Sequence, residues 1–245
     1  MKAFFTHLFI QFKLGLRDKT LLIDFYIVPL GFYLIMGGVM SGINPAFKAT
    51  LTTSMMAFAV TMGGLQGVAE PMARLRDGGT LRSYRVLGIP ARSVFLTDLI
   101  GTFFHLLIAC IIILATAPVF FKAALPAHFL TFFGVTAVFI LSTTSVGLLF
   151  GVLAKPHLAS MLSIIVFVFS VLLSGIMFPA SMLPKALQGF SRVLPATYAM
   201  KALTGLSFSR VFDPKAGVAL IVLAVIGIVC ACVSVRRLAG QNRAA

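Results

Sequence analysis

The sequence predicts an all-α membrane protein with six transmembrane helices, and three observations predict it. Hydrophobic residues make up 60% of the 245-residue chain and charged residues 11%, where a soluble domain carries about 25% charged residues; mean hydropathy is +1.06. Six segments approach the ~20 apolar residues that a helix needs to cross the hydrocarbon core. The basic residues, which give a formal net charge of +14, gather in the loops between those segments. In a soluble protein a pI near 10.5 points to nucleic acid, but bases flanking apolar runs follow the bias of cytoplasmic membrane loops. No nucleic-acid partner is expected, and residues 1–245 read as one membrane domain with no soluble enzyme attached.

The first element is an amphipathic helix over about 3–19. Lys2, Thr6, Lys13 and Arg17 fall on one side of a helical wheel and Phe5, Leu8, Phe9, Phe12 and Leu16 on another, the pattern of a helix lying in the membrane interface. Gln11 and Lys13 interrupt the apolar run and no small-residue cleavage site follows, so no signal peptide is read. The six spans run over about 22–43, 50–70, 94–117, 127–153, 157–178 and 217–235. Pro29 is placed to kink the first. The second is the most polar, and Pro156 marks the tight break between the fourth and fifth.

Orientation follows from the Lys and Arg counts of the loops. The N-terminal segment holds four, the loop between the second and third spans five, and the tail after Val235 three; the first external loop holds only Lys48 and the second only Lys122. An even number of spans with both ends basic places both termini in the cytoplasm and the chain in the cell membrane. The last external stretch departs from the rule with Lys185, Arg192, Lys201, Arg210 and Lys215. It is therefore expected to be structured and partly re-entrant, a backbone form tolerated at membrane depth only where protein or a cavity shields it.

Several chemistries are missing. The sequence contains no G-x-x-x-x-G-K-[ST], no H-E-x-x-H and no G-x-S-x-G, the patterns that cradle nucleotide phosphates, bind catalytic zinc or present a nucleophilic serine. His7, His105, His128 and His157 are scattered, and Cys110, Cys230 and Cys232 lie in apolar segments, so neither a metal site nor a disulfide framework is expected. The acids Asp18, Asp24, Glu70, Asp77, Asp98 and Asp213 all fall near span ends or in loops, whereas ion-coupled carriers carry acids at membrane depth. A transporter of this composition takes its energy from a partner. Asp24, Glu70 and Asp98 beside many arginines read either as local ion pairs that fix helix ends or as part of a relay to that partner.

The most charged stretch is "RLRDGGTLRSYRVLGIPARS", Arg74 to Ser93, with five arginines. Pro71 can begin a helix, Gly78 and Gly79 break it, and Thr80 can cap a new one over "LRSYRVL". Gly88 and Pro90 stop that helix. The expectation is a short basic helix on the inner membrane face, over a region 71–92, docking through Leu81, Tyr84 and Leu87; the alternative is a solvated topogenic loop.

Two strings together resemble the ABC-2 type permease family, the membrane subunits of one class of ABC exporters. The first is Asp77, Gly79, Thr80, Leu81, Arg82 and Pro90, between the second and third spans. The second lies after the fifth span: Ser174–Gly175, Phe178–Pro179, Leu183–Pro184, Leu194–Pro195 and Tyr198. The resemblance covers about 5–238. The family often has Arg-Glu before the Gly-Thr turn, where this chain has Arg76–Asp77–Gly78.

The resemblance implies that two such subunits, identical or homologous, form a translocation path above a pair of ABC ATPase subunits. ATP and Mg belong to those partners, so no cofactor is expected on this chain and it is not itself an enzyme. Asp77, Gly79, Thr80, Leu81, Arg82, Tyr84, Leu87 and Pro90 would form the coupling helix that seats in the ATPase. Ser174, Gly175, Phe178, Pro179, Pro184, Pro195 and Tyr198 would belong to a re-entrant hairpin at the outer gate, over about 179–203. Thr53, Thr61, Gln66, Ser142 and Thr143 are candidates to line the path; interhelical hydrogen bonding is the competing reading. Small residues at four-residue spacing, Ala59, Gly63 and Gly67 and then Gly147 and Gly151, allow close helix approach. An apolar path suits amphipathic cargo such as drugs, antibiotics or lipids. Polysaccharide or other polar cargo, a self-contained carrier or channel, and a non-transport scaffold remain as alternatives, glycan being disfavoured by the absence of Trp and the presence of only four Tyr.

Overall fold

The computed structural model describes residues 12, 13, 15, 17–43, 47–86, 90–178, 182–208 and 213–241, and of Ser41, Ile43, Phe47, Arg82, Arg85, Ala91 and Gln241 it describes the backbone alone. Most of the expected interface helix over 3–19, together with Leu87, Pro179 and Arg210, lies outside the described residues. Every described element is helical. In chain order they are α1 (Lys19–Leu22), a π-helical turn (Ile23–Ile27), α2 (Val28–Ile43), α3 (Phe47–Asp77), α4 (Thr80–Val86) and α5 (Ala91–Phe121). There follow α6 (Phe129–Leu153), α7 (Pro156–Leu173), α8 (Lys185–Ser191), α9 (Pro195–Leu203), a second π-helical turn (Thr204–Phe208) and α10 (Pro214–Gln241).

Among the described residues five stretches are long and apolar enough to cross a membrane: Lys19–Met40, Arg92–Phe121, Phe129–Leu153, Pro156–Leu173 and Pro214–Gly240. The second expected span is the exception, and its polarity has a reason. It forms α3, a 31-residue helix about 46 Å long at 1.5 Å per residue. α3 packs against α2, α5, α6, α7 and α9, and every residue from Leu51 to Leu65 is buried. A helix enclosed by other helices does not need the lipid-facing aliphatic surface that α7 and α10 show, with Ile164, Ile165, Phe169, Ile221, Val225 and Ile228 exposed. Thr52, Thr53, Ser54 and Thr61 can therefore occupy its core-facing positions.

Proline explains the first irregularity. Pro29 has no N–H to give the Phe25 carbonyl four residues back, and its ring crowds that carbonyl. The helix responds just before Pro29 by widening into the π turn Ile23–Ile27, the form in which such insertions are accommodated. The turn drives the Phe25 ring against α3, where a Cβ at Gly63 or Gly67 would come within 2.7 or 2.5 Å of it. Tyr26 Oη bonds His105 Nδ1 at 2.9 Å and Tyr33 Oη bonds Thr116 Oγ1 at 3.0 Å, both fixing this first span to α5.

Glycine sets the contact of α3 with α6. A Cβ on Gly147 would collide with the Gly64 carbonyl oxygen, and one on Gly151 would lie 2.5 Å from the Ala69 carbonyl oxygen. The close-approach role expected of Gly147 and Gly151 is thus met at backbone atoms. Their partner surface is Gly64 to Ala69, while Gly63 and Gly67 face Phe25 instead. On its other side α6 meets α10, where Ser142 Oγ donates to the Leu223 carbonyl at 2.9 Å beside Gly227.

The bundle has two distinct ends. At one, the α5–α6 connection is tied down: Ala124 N–H donates to the Lys48 carbonyl, Thr52 Oγ1 to the Ala124 carbonyl, and Ala127 N–H to the Ser207 carbonyl. The start of α3 and the second π turn therefore share that end. At the other end α3 runs into the arginine-rich insert and meets the α6–α7 turn.

Two expectations need correction. Pro71 does not begin a new helix; α3 continues through it to Asp77, because the packed helices on either side hold the backbone helical despite the lost bond. The fifth span ends at Leu173, five residues before the expected 178. Gly175 there takes φ +85° and Met177 N–H returns to the Val171 carbonyl, a left-handed helix stop.

Candidate functional site

The arginine-rich end is built from four short pieces of local chemistry. Gly78 N–H closes the last turn of α3 on the Arg74 carbonyl at 2.7 Å, and Gly79 takes φ +78°, a conformation that L side chains rarely adopt. That reversal lets α4 begin at once with Thr80, and Ser83 N–H bonds the Gly79 carbonyl at 3.1 Å. Leu81 is half-buried and packs against the main core; Tyr84 is half-buried. Arg82 lies within the helix. Pro90, with extended backbone at φ −71°, ψ 143°, opens α5. The short helix is thus held between the ends of two long ones.

Arg76, read from the sequence only as one of five arginines, makes contacts that the sequence did not suggest. Its Nε donates to Asp77 Oδ1 at 2.8 Å. Its two terminal nitrogens donate to the backbone carbonyls of Val152 and Ala154, the latter at 2.9 Å. Val152 lies in the last turn of α6 and Ala154 just past it. The carbonyls that close a helix have no intrahelical donors and form the negative end of its dipole. A guanidinium with five donors in a planar fork suits them. The Arg76 side chain is only 13% exposed, so solvent screens these contacts little. The same guanidinium holds the Asp77 carboxyl below the ordinary carboxylate range, through its hydrogen bond first. A lone arginine in a run of five has no sequence signature for this; Pro156, which fixes where α6 stops, was the nearest signal.

Glu70 and Arg74 form an i,i+4 pair at 2.6 Å. With Arg76–Asp77 these are the two ion pairs among the described residues. Glu70 thus has the local partner that one reading expected, whereas Asp24 and Asp98 have none among the described residues.

The outer-gate candidates fall around the two short helices α8 and α9. Ser174 caps α7 and its Oγ lies within hydrogen-bond distance of Thr197 Oγ1, at 3.0 Å, while the Thr197 hydroxyl donates to the Ser191 carbonyl at 2.6 Å. Tyr198 Oη donates to the Arg192 carbonyl at 2.7 Å. Pro184 precedes α8, and Pro195 opens α9 at its first turn, where a missing N–H costs nothing. Pro195, Ala196, Thr197, Ala199, Met200, Ala202 and Leu203 are buried against α3, α6, α7 and α10, whereas Phe178 is exposed. Lys185, Arg192, Lys201 and Lys215 all stand at exposed positions.

The path-lining candidates are not gathered in one place. Thr53 is buried on α3, and Thr61 Oγ1 donates to the Ala57 carbonyl in its own helix at 2.7 Å. Gln66 is half-buried. Thr143 sits against Gly64, with its hydroxyl buried and without a hydrogen-bond partner. Ser142, besides its bond to α10, borders an apolar groove of about 290 Å³ with Leu99, Val138 and Gly227. Among the described residues no three His, Cys, Asp or Glu side chains gather as metal ligands.

No curated protein matches the chain. A family profile described as ABC-2 type transporter matches residues 2–208, from the N-terminal segment through the arginine-rich insert to the second π turn. Most of the chain is thereby covered, and it belongs to the ABC-2 type transporter family, the membrane subunits of ABC transporters.

Proposed function

We propose that this chain is the permease half of an exporter, carrying amphipathic cargo such as drugs, antibiotics or lipids, and driven by a separate pair of ABC ATPase subunits. Two permease subunits, identical or homologous, form the path, and both termini face the cytoplasm. The observation that carries the reading is the clamped helix at the arginine-rich end. α4 is short, held at both ends, and joined through Asp77 and Arg76 to the end of α6. A push on α4 would reach α3 and α5 directly and the α6–α7 turn through Arg76, so a seated partner would tilt several helices at once.

The outer reading rests on α8 and α9. A buried helix preceded by an exposed one, both between spans, suits a re-entrant hairpin at the far mouth of the path, closed by the Ser174–Thr197 contact. With α3 counted as the buried member, the spans number six. The amphipathic-cargo reading draws on the apolar interior and on the absence of Trp.

The test is reconstitution in proteoliposomes with and without the ATPase subunit. ATP-dependent cargo movement that needs both chains is the expected result. Solute flux through this chain alone would favour the self-contained carrier or channel.

A further inference from the structure

A cavity of about 160 Å³ lies between α3, α5 and the first π turn, and no part of the coupling or gate reading uses it. Asp98, Thr102 and His105 line it from α5, Gly67 and Pro71 from α3, and Phe25 from the π turn. Asp98, Thr102 and His105 stand at i, i+4 and i+7, on one face of α5. Among the described residues no cation or hydrogen-bond donor pairs with Asp98, although the chain has 20 Lys and Arg against 6 acids. On the facing wall Pro71 lacks the N–H that would satisfy the Gly67 carbonyl, which adds a second acceptor with a lost partner. The remaining wall is mainly aliphatic, from Leu21, Val68, Met72 and Leu148, with Phe25 stacked on His105 at a ring-centroid distance of 5.5 Å and His105 Nδ1 engaged by Tyr26.

We infer that this cavity binds an organic ammonium group on a small apolar body. A carboxylate with no paired cation, in a cavity whose other walls are mostly apolar, calls for a cation that donates. The Phe25 ring adds attraction for an ammonium, and the aliphatic wall for the carbon attached to it. The volume matches that of an apolar cavity that takes one benzene ring, too small for a drug-sized ligand and too large for a bare alkali ion.

The experiment uses the purified full chain in nanodiscs without any ATPase, so it reads binding whether or not the export reading holds. Benzylamine, cationic at neutral pH, is titrated by equilibrium dialysis against its neutral isostere benzyl alcohol. Saturable one-to-one binding of benzylammonium is expected, with roughly tenfold or greater weakening for the alcohol and for Asp98→Asn. Gly101→Leu should abolish it: Gly101 lines the same cavity, and a Cβ there meets nothing within 4 Å. Unchanged thermal unfolding in Asp98→Asn keeps the loss attributable to the carboxylate. Nanodiscs of phosphatidylethanolamine and of phosphatidylglycerol separate the two sources of an ammonium. Weaker benzylammonium binding in the former identifies a lipid headgroup as the resident ligand, and equal binding identifies a free amine. Equal binding of the alcohol, full binding by Asp98→Asn, or displacement by sodium at matched concentration with potassium inert would overturn the inference.

Discussion

Arg76 shows what one side chain does at the arginine-rich end. It binds an acid on its own helix and two terminal carbonyls on another, and hydrogen bonds from a charged donor contribute about 1.5–3 kcal/mol each where they are shielded. Arg76→Ala should lower stability by about that much, read as thermal unfolding in detergent. Arg76→Lys should recover only part of it, because one ammonium cannot fork to two carbonyls. The two variants should also lower partner ATPase stimulation without releasing the partner. Asp77 gives a prediction in pH. Its folded value is depressed, so its contribution is fully present above the ordinary carboxylate value near 3.9 and is lost as pH falls through the depressed one. The contribution of this pair should therefore be constant from pH 5 to 8, and Asp77→Asn should lower stability evenly over that range while flattening the acid limb.

Among elements, α3 and α6 make the sharpest claim. Their contact is backbone on backbone at Gly147, so Gly147→Ala cannot be absorbed by a rotamer change and should destabilise by about 1–3 kcal/mol. Gly189→Ala is the control: its Cβ would meet nothing within 4 Å, it is exposed on α8, and a helical Gly→Ala change there should be neutral or stabilise by up to about 1 kcal/mol. A fluorescence melt of both variants checks the pair. These elements also show how far sequence reaches. Apolar run length revealed the five long apolar helices, and Gly-Gly with a following Pro revealed α4, because both signals are local. The burial of α3 was not legible, since its polarity reflects neighbours as far along the chain as α6, α7 and α9. The continuation of α3 through Pro71 and the Arg76 contacts were hidden for the same reason: each depends on what packs alongside.

For the whole molecule, the resemblance carried by the insert and the post-span segment is matched by the family assignment over residues 2–208. The fold supplies the mechanical part of the account: a long buried helix whose far end is tied to the α5–α6 connection and whose near end is tied to α4 and to α6. Such a lever moves as a unit when its near end is pushed. ABC-2 permeases work with ABC ATPases, and α4 is where the two are proposed to meet. The most direct measurement is co-purification of the partner ATPase with this chain, wild type against Arg82→Glu combined with Leu87→Asp. The account predicts that the wild type retains the ATPase and that the double variant, inserted and folded as before, loses most of it. Undiminished association would contradict the placing of the coupling helix at Thr80–Val86.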